Sequence, residues 1–282
     1  MRPKRKPDWL KVRIPTGAEF YSVREILDRH GLNTVCKEAR CPNMAECFHS
    51  KTATFLVLGD TCTRSCKYCN VHHGAPADVD WREPQRVAAA AREMGLEYIV
   101  VTSVTRDDLQ DGGAGVFAQT VLELRMAIPG CRVEVLIPDF RGDQKALGKV
   151  IEAAPDVINH NIEVVEPLYQ AIRPEGVFDL SLGILKSVHS GGIIAKSGFM
   201  LGFGEKSGDI VSLLGRLAGT GCRIVTIGQY QQPSAHHWPV EKYYTPAEFE
   251  DIRQMALGMG FTRVESGPLV RSSYKAAGGQ VK

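Results

Sequence analysis

Six of the eight cysteines in this 282-residue chain fall between positions 36 and 69. Such a cluster in a reducing compartment reads as metal or redox chemistry rather than as disulfides. The run Cys62-Thr-Arg-Ser-Cys66-Lys-Tyr-Cys69 has CxxxCxxC spacing. Thiolates are soft ligands that favour zinc and iron–sulfur clusters. Three thiolates are too few for a closed cubane cluster. Either a neighbouring His72 or His73 completes a zinc site, or one iron is left open to bind a ligand. A closed zinc site prefers paired CxxC motifs, and no second CxxC follows. Cys36, Cys41 and Cys47 form a second triad, CxxxxCxxxxxC, which also lacks a fourth ligand. Three thiols in twelve polar residues argue against simple burial. Cys131 and Cys222 each precede an apolar run and read as small buried residues.

The elements that must position these groups follow a regular order from Thr52 onward. The β-rich runs are ATFLVLG, EYIVVTSV, RVEVLIP, DVINHNIEVV, GIIAKSGFMLG and RIVTIGQY. They alternate with helical patterns EPQRVAAAAREMG, GVFAQTVLELRMAIPG, QKALGKVIEAA, LSLGILKSVHS, DIVSLLGRLAG and PAEFEDIRQMALGMG. Sequential βα units demand parallel strands with right-handed crossovers. No GxGxxG follows the first strand, which argues against a dinucleotide-binding doubly wound sheet. Polar residues gather where strands end, at Asp60, Thr102 to Asp108, Asn159 to Glu163, Lys196 and Gln229. In a barrel those loops share one face. The expected fold is α/β, a partial (β/α)6 TIM-like barrel over 52–262. Extensions at 1–51, with a short helix from Ser22 to His30, and at 263–282 flank it.

The CxxxCxxC run has an aromatic residue before its last cysteine and follows the first strand. It resembles the radical S-adenosylmethionine (SAM) superfamily. That resemblance implies a 4Fe–4S cluster whose open iron chelates SAM and whose electron releases a 5′-deoxyadenosyl radical. The segments GLNTVCKEARCPNMAECF, CTRSCKYCNV, TSVTRDDLQDGGA, NHNIEVV, KSGFMLGFGE, TIGQYQQPS and RSSYKA together resemble the lipoyl synthases over nearly the whole chain. This implies a sulfurtransferase that inserts two sulfur atoms, at C6 and C8, into a protein-bound N6-octanoyl-lysine. The cofactors implied are SAM and two 4Fe–4S clusters. Cys62, Cys66 and Cys69 would hold one; Cys36, Cys41, Cys47 and Ser273 of RSSY would hold an auxiliary cluster that donates sulfur. No catalytic residue beyond the cluster ligands is implied. Arg271 would stand beside the serine oxygen as a cation. Read without the resemblance, RSSY is a flexible polar tail, extended so that Ser272 and Ser273 face opposite ways.

The partners implied are octanoylated lipoyl carrier domains: 2-oxoacid dehydrogenase E2 subunits and the glycine cleavage H protein. An electron donor such as ferredoxin or flavodoxin and an iron–sulfur cluster carrier complete them. Two departures stand out: Gln231 where Leu is frequent, and Tyr68 where Phe is common. A biotin-synthase-like enzyme would lack the first triad and RSSY, and a zinc-binding module would lack the open iron.

The remaining cofactor contacts are read from strand ends. Asn161 and Glu163 alternate on one face and suit the ribose hydroxyls or methionine part of SAM. Thr102, Ser103, Arg106 and Asp107 suit its charged end, and Lys196 and Arg173 its carboxylate. Salt bridges tying βα loops together are the competing role for each. His236 and His237 read as surface or channel-mouth residues, not ligands. Charge excludes a general nucleic-acid binder: 34 basic residues oppose 32 acidic ones. The basic start, MRPKRKPDWLKVR, has no apolar signal stretch and no aromatic platform for nucleic acid. It reads as a mobile tail, with docking to an acidic carrier as the alternative. No apolar run is long enough to span a bilayer, and a cytoplasmic location is expected.

Overall fold

The structure, a computed structural model, describes residues 5–11, 18–35, 43, 54–274, 276 and 277. Cys36, Cys41 and Cys47 lie outside the described residues. The chain divides into two compact units. One comprises Val12–Arg64 and Asn70–Ile158. The other comprises Met1–Lys11, Ser65–Cys69 and Asn159–Lys282.

The first unit contains α1 (Ala18–Arg29), β1 (Asn33–Thr34), β2 (Thr54–Val57), β3 (Thr61–Cys62) and β4 (His72–His73). Then follow α2 (Glu83–Glu93), β5 (Tyr98–Ser103), α3 (Ala114–Ala127), β6 (Arg132–Leu136), α4 (Gln144–Glu152) and the start of β7 (Val157–Asn159). Strands β2, β5 and β6 pair in sequence order and in parallel, while β1 pairs antiparallel with β2. TFLV and the first five residues of YIVVTS are buried, as in a parallel sheet covered on both faces. Helix α2 turns Val87, Ala88, Ala90 and Ala91 inward. Each larger aliphatic side chain so buried contributes ~1.5–3 kcal/mol. Asp143 starts α4 by accepting hydrogen bonds from the N–H groups of Lys145 and Ala146.

The second unit contains α5 (Glu166–Ile172), α6 (Phe178–Ser190), β8 (Ile194–Leu201), α7 (Ser207–Gly219), β9 (Ile224–Gln229), α8 (Pro246–Gly258) and β10 (Arg263–Gly267). Strands β8, β9 and β10 are again consecutive and parallel. Within neither unit does the strand order reverse, so no doubly wound switch point appears in either. A Thr245–Glu248 capping box with Pro246 next to it opens α8.

The six expected βα alternations are present. Four features differ from the sequence reading. Residues 263–267, within the stretch read as a C-terminal extension, form a strand on β9. Residues 166–172 form an additional helix. In residues 5–11 Leu10 is only 2% exposed and Lys6 Nζ donates to Gln231 Oε1 at 3.1 Å, so this stretch is anchored at Leu10 rather than wholly free, while its charged side chains stay exposed. The RSSY segment is a turn, closed by Tyr274 N–H to Arg271 O at 2.9 Å, rather than an extended strand. Among the described residues no helix is long and apolar enough to cross a membrane.

Candidate functional site

In the first unit the chain leaves β2 through Leu58, whose φ of 69° is left-handed. The Leu58 N–H donates to Glu83 Oε2 at 2.7 Å. Cys62 ends β3, and its sulfur accepts the Arg64 N–H at 3.5 Å, a contact that suits a thiolate. Thr63 is fixed to the loop after β5: its N–H donates to Thr105 O, and its Oγ1 accepts the Asp107 N–H, both at 3.0 Å. Arg64, inside the cysteine motif, is 5% exposed and is gripped by two carboxylates. Its Nε and Nη2 donate to Asp107 at 2.7 and 3.0 Å. Its Nη1 and Nη2 donate to Asp139 at 2.7 and 2.6 Å. Burial opposes the guanidinium charge, but these bonds outweigh it and hold Arg64 firmly protonated.

In the second unit the Ser65–Cys69 loop is held from two sides. Ser65 Oγ donates to Glu175 Oε1 at 2.7 Å, and Lys67 N–H donates to Ile172 O at 2.9 Å. On the other side Trp238 N–H donates to Lys67 O at 3.0 Å. His237 Nε2 lies 3.0 Å from Cys69 O. A carbonyl only accepts, so Nε2 carries the proton. Ser234 Oγ faces Nδ1 at 2.8 Å. His237 therefore supports the backbone of the cysteine loop, a role that no sequence signal indicates. His236 is exposed, in keeping with its surface reading.

A second cluster of groups surrounds Tyr68. Glu163 has a left-handed φ of 71°, an unusual backbone for a charged residue and one found where side chains must be aimed. Burial raises the Glu163 carboxyl above its ordinary range, against the opposing pull of Arg173 and a hydrogen bond from Asn161. Burial, then Glu163 and the Cys66 sulfur, push the Tyr68 phenol well up. Arg173 Nη1 donates to Asn161 O, Ile162 O and Tyr169 Oη at 3.1, 3.3 and 2.8 Å. Several polar atoms here are buried without a hydrogen-bond partner: Arg173 Nε, Asn161 Oδ1 and Gln231 Nε2. In the first unit Ser103 Oγ is in the same condition. Buried polar atoms are seldom left so, and each calls for a partner such as water, an ion or a ligand.

The other sequence candidates are engaged within the protein. Thr102 Oγ1 donates to Leu136 O at 2.9 Å. Arg106 pairs with Asp108 at 2.8 Å, and Asp107 pairs with Arg64. The Asp107–Arg64 pair is an inter-loop salt bridge of the competing role, whereas the Arg106–Asp108 pair lies within one loop. Lys196 is buried as the third residue of the eight-residue β8, well short of its C-terminal end. Gln229 is saturated: Nε2 donates to the carbonyls of Leu201, Tyr230 and Lys242, and Oε1 accepts the Tyr244 N–H. Cys131 and Cys222 are buried, and burial pushes the Cys222 thiol up to about 12. Ser273 is half-buried in the tail turn.

The family model of the radical SAM superfamily matches residues 56–217, and that of the N-terminal domain of lipoyl synthase matches residues 2–41. A lipoyl synthase of Nitratidesulfovibrio vulgaris is 52% identical over 272 residues, covering 96% of this chain and 91% of that protein. One from Rubrobacter xylanophilus is 50% identical over 273 residues, covering 96% and 85%. The chain belongs to the lipoyl synthase family of radical SAM enzymes. Its activity is that of a sulfurtransferase, lipoyl synthase, and neither a biotin-synthase-like enzyme nor a zinc module is favoured. Its fold is shared with methylornithine synthase, at a TM-score of 0.54, 12% identity and coverage of 93% of this chain and 82% of that one.

Membership brings SAM and a 4Fe–4S cluster, and the residues fit them. Cys62, Cys66 and Cys69 are half-buried thiols. The orphaned donors and acceptors are those a zwitterionic nucleoside needs. Among the described residues no three His, Cys, Asp or Glu side chains gather round a point suited to one metal ion. His72 and His73 are exposed.

Proposed function

We propose that Cys62, Cys66 and Cys69 hold the radical SAM cluster of this lipoyl synthase and that Asn161, Glu163, Arg173 and Ser103 bind SAM. Bound there, cluster and SAM supply the one-electron cleavage that produces a primary carbon radical. Such a radical suits the substrate, because an unactivated C–H bond offers no acid for general acid–base catalysis. The orphaned buried atoms on Asn161 and Arg173 carry this reading. Arg173 presents a buried cation to a carboxylate, and the strained Glu163 presents an acceptor to hydroxyl or ammonium groups. Arg64, Arg106, Asp107 and Thr102 position the loops rather than touch the cofactor. Lys196 serves in the interior of the sheet.

A second 4Fe–4S cluster, held by Cys36, Cys41, Cys47 and Ser273, supplies the sulfur. Serine oxygen is a harder and poorer iron ligand than thiolate, which suits a corner that must come apart. The substrates are octanoylated E2 and H-protein domains, in the cytoplasm. A ferredoxin or flavodoxin supplies electrons, and a cluster carrier restores iron and sulfide.

The test is mass spectrometry of an octanoylated carrier domain after anaerobic incubation with SAM and reductant. The intact enzyme is expected to add two sulfurs. Changing Cys62, Cys66 and Cys69 to Ala should abolish 5′-deoxyadenosine and leave about four irons. Changing Cys36, Cys41 and Cys47 to Ala should spare 5′-deoxyadenosine and stop sulfur insertion. Retained cleavage in the first variant, or product from the second, refutes the assignment.

A further inference from the structure

The C-terminal tail is seated on the second unit at three points. Val270 is buried, and its carbonyl oxygen occupies the place where a side chain at Gly228 would stand. Arg263 Nη1 donates to Ala276 O at 3.1 Å. Between these anchors, Asn161 Nδ2 donates to Ser272 Oγ at 2.9 Å, joining residues 111 positions apart. Asn161 is 8% exposed, and its Oδ1 lies buried and unpartnered over Gly198, where an added Cβ would come within 2.9 Å. The Asn161 side chain also hydrogen-bonds the Glu163 carboxyl. The Ser272 hydroxyl can donate or accept, and the bond fixes the plane of the amide with Nδ2 toward the tail. One planar amide therefore gives its donor end to the tail and leaves its acceptor end buried without a partner.

We propose that Ser272 is a latch: it holds the Asn161 amide with Oδ1 facing the SAM site, and SAM binding in turn fastens the tail. This rests on the reading of Asn161 as a SAM contact. Coupling between two binding events is reciprocal, so a tail that improves SAM binding must be held by SAM to the same extent. Ser272 is thus a positioning residue that ties the cofactor site to the segment carrying Ser273. Loss of one neutral hydrogen bond sets the scale, about three- to tenfold.

The experiment uses the full chain with its clusters reconstituted anaerobically, and SAM without reductant, so that no turnover occurs. Two quantities are read: the SAM dissociation constant by equilibrium dialysis, and hydrogen exchange of the peptide spanning 268–277 with and without SAM. Ser272→Ala should weaken SAM binding about three- to tenfold and reduce SAM-dependent protection of the tail by the same factor. Ser272→Thr, which keeps the hydroxyl, should restore both. The coupling should persist when Cys36, Cys41 and Cys47 are Ala; its disappearance there would trace it to the second cluster and overturn the latch. Equal SAM affinity in wild type and Ser272→Ala, or tail exchange indifferent to SAM, overturns the latch alone. Failure of the wild type to bind SAM overturns the underlying site reading as well.

Discussion

Arg64 stands between two cysteines of the CxxxCxxC motif, yet its work is to carry two ion pairs. Replacing it with Leu removes four charge-assisted hydrogen bonds at once. Asp107 is 24% exposed on its side chain and recovers water, so its share of the loss is small. Asp139 is 1% exposed on its side chain and accepts the Arg141 N–H at 2.9 Å. Breaking a buried pair by removing one partner costs about 3–5 kcal/mol, because the remaining charge stays desolvated. At roughly 2–4 °C per kcal/mol, Tm should fall by about 6–20 °C. Thermal unfolding followed anaerobically by circular dichroism measures this, with iron per chain read alongside. Pairing Arg64→Leu with Asp139→Asn should recover part of the loss, with at least about 1 kcal/mol of non-additivity. A Tm shift under about 2 °C, the mark of a surface substitution, or strictly additive single variants, would sink this account.

Ser273→Cys supplies a softer ligand, so the cluster should assemble but yield its sulfur poorly while 5′-deoxyadenosine formation is better preserved; normal lipoyl product by mass spectrometry rules out Ser273 as the ligand. Glu83 is buried, with its carboxyl pKa raised chiefly by that burial. A raised folded-state pKa makes the group's contribution complete below the unfolded value, about 4.3, and progressively lost as pH rises through the folded value. Glu83→Gln should therefore gain stability relative to wild type as pH climbs from about 4 to 7, and a difference in Tm that shrinks over that range contradicts the prediction. Gly228→Ala would drive a Cβ into the Val270 carbonyl. That should cost about 1–3 kcal/mol and accelerate hydrogen exchange in the tail, and unchanged exchange would show that the tail does not rest there.

The βα alternation was legible because it rests on local periodicity, and a strand or helix is specified by residues a few positions apart. The cysteine motif was legible for the same reason: CxxxCxxC is a short-range pattern whose chemistry belongs to the residue type. Strand β10 was missed because RVESG has only one fully buried residue, Val264. Its place on β9 is made by backbone hydrogen bonds, which carry no side-chain signature. The extended reading of RSSY failed because its turn is closed by main-chain groups. Among the site candidates, residue type alone did not separate Arg173, which keeps a buried nitrogen without a partner, from Arg106, whose charge is answered by Asp108. Both are arginines beside polar residues, and only the distance to a carboxylate divides them. His237 reaches Cys69 across 168 positions, and Asn161 reaches Ser272 across 111. Contacts of that range depend on how the whole chain closes, so the sequence by itself determined the elements, the cysteine motif and the family. Which polar groups are answered within the protein, and which are buried without a partner, only the tertiary structure decided.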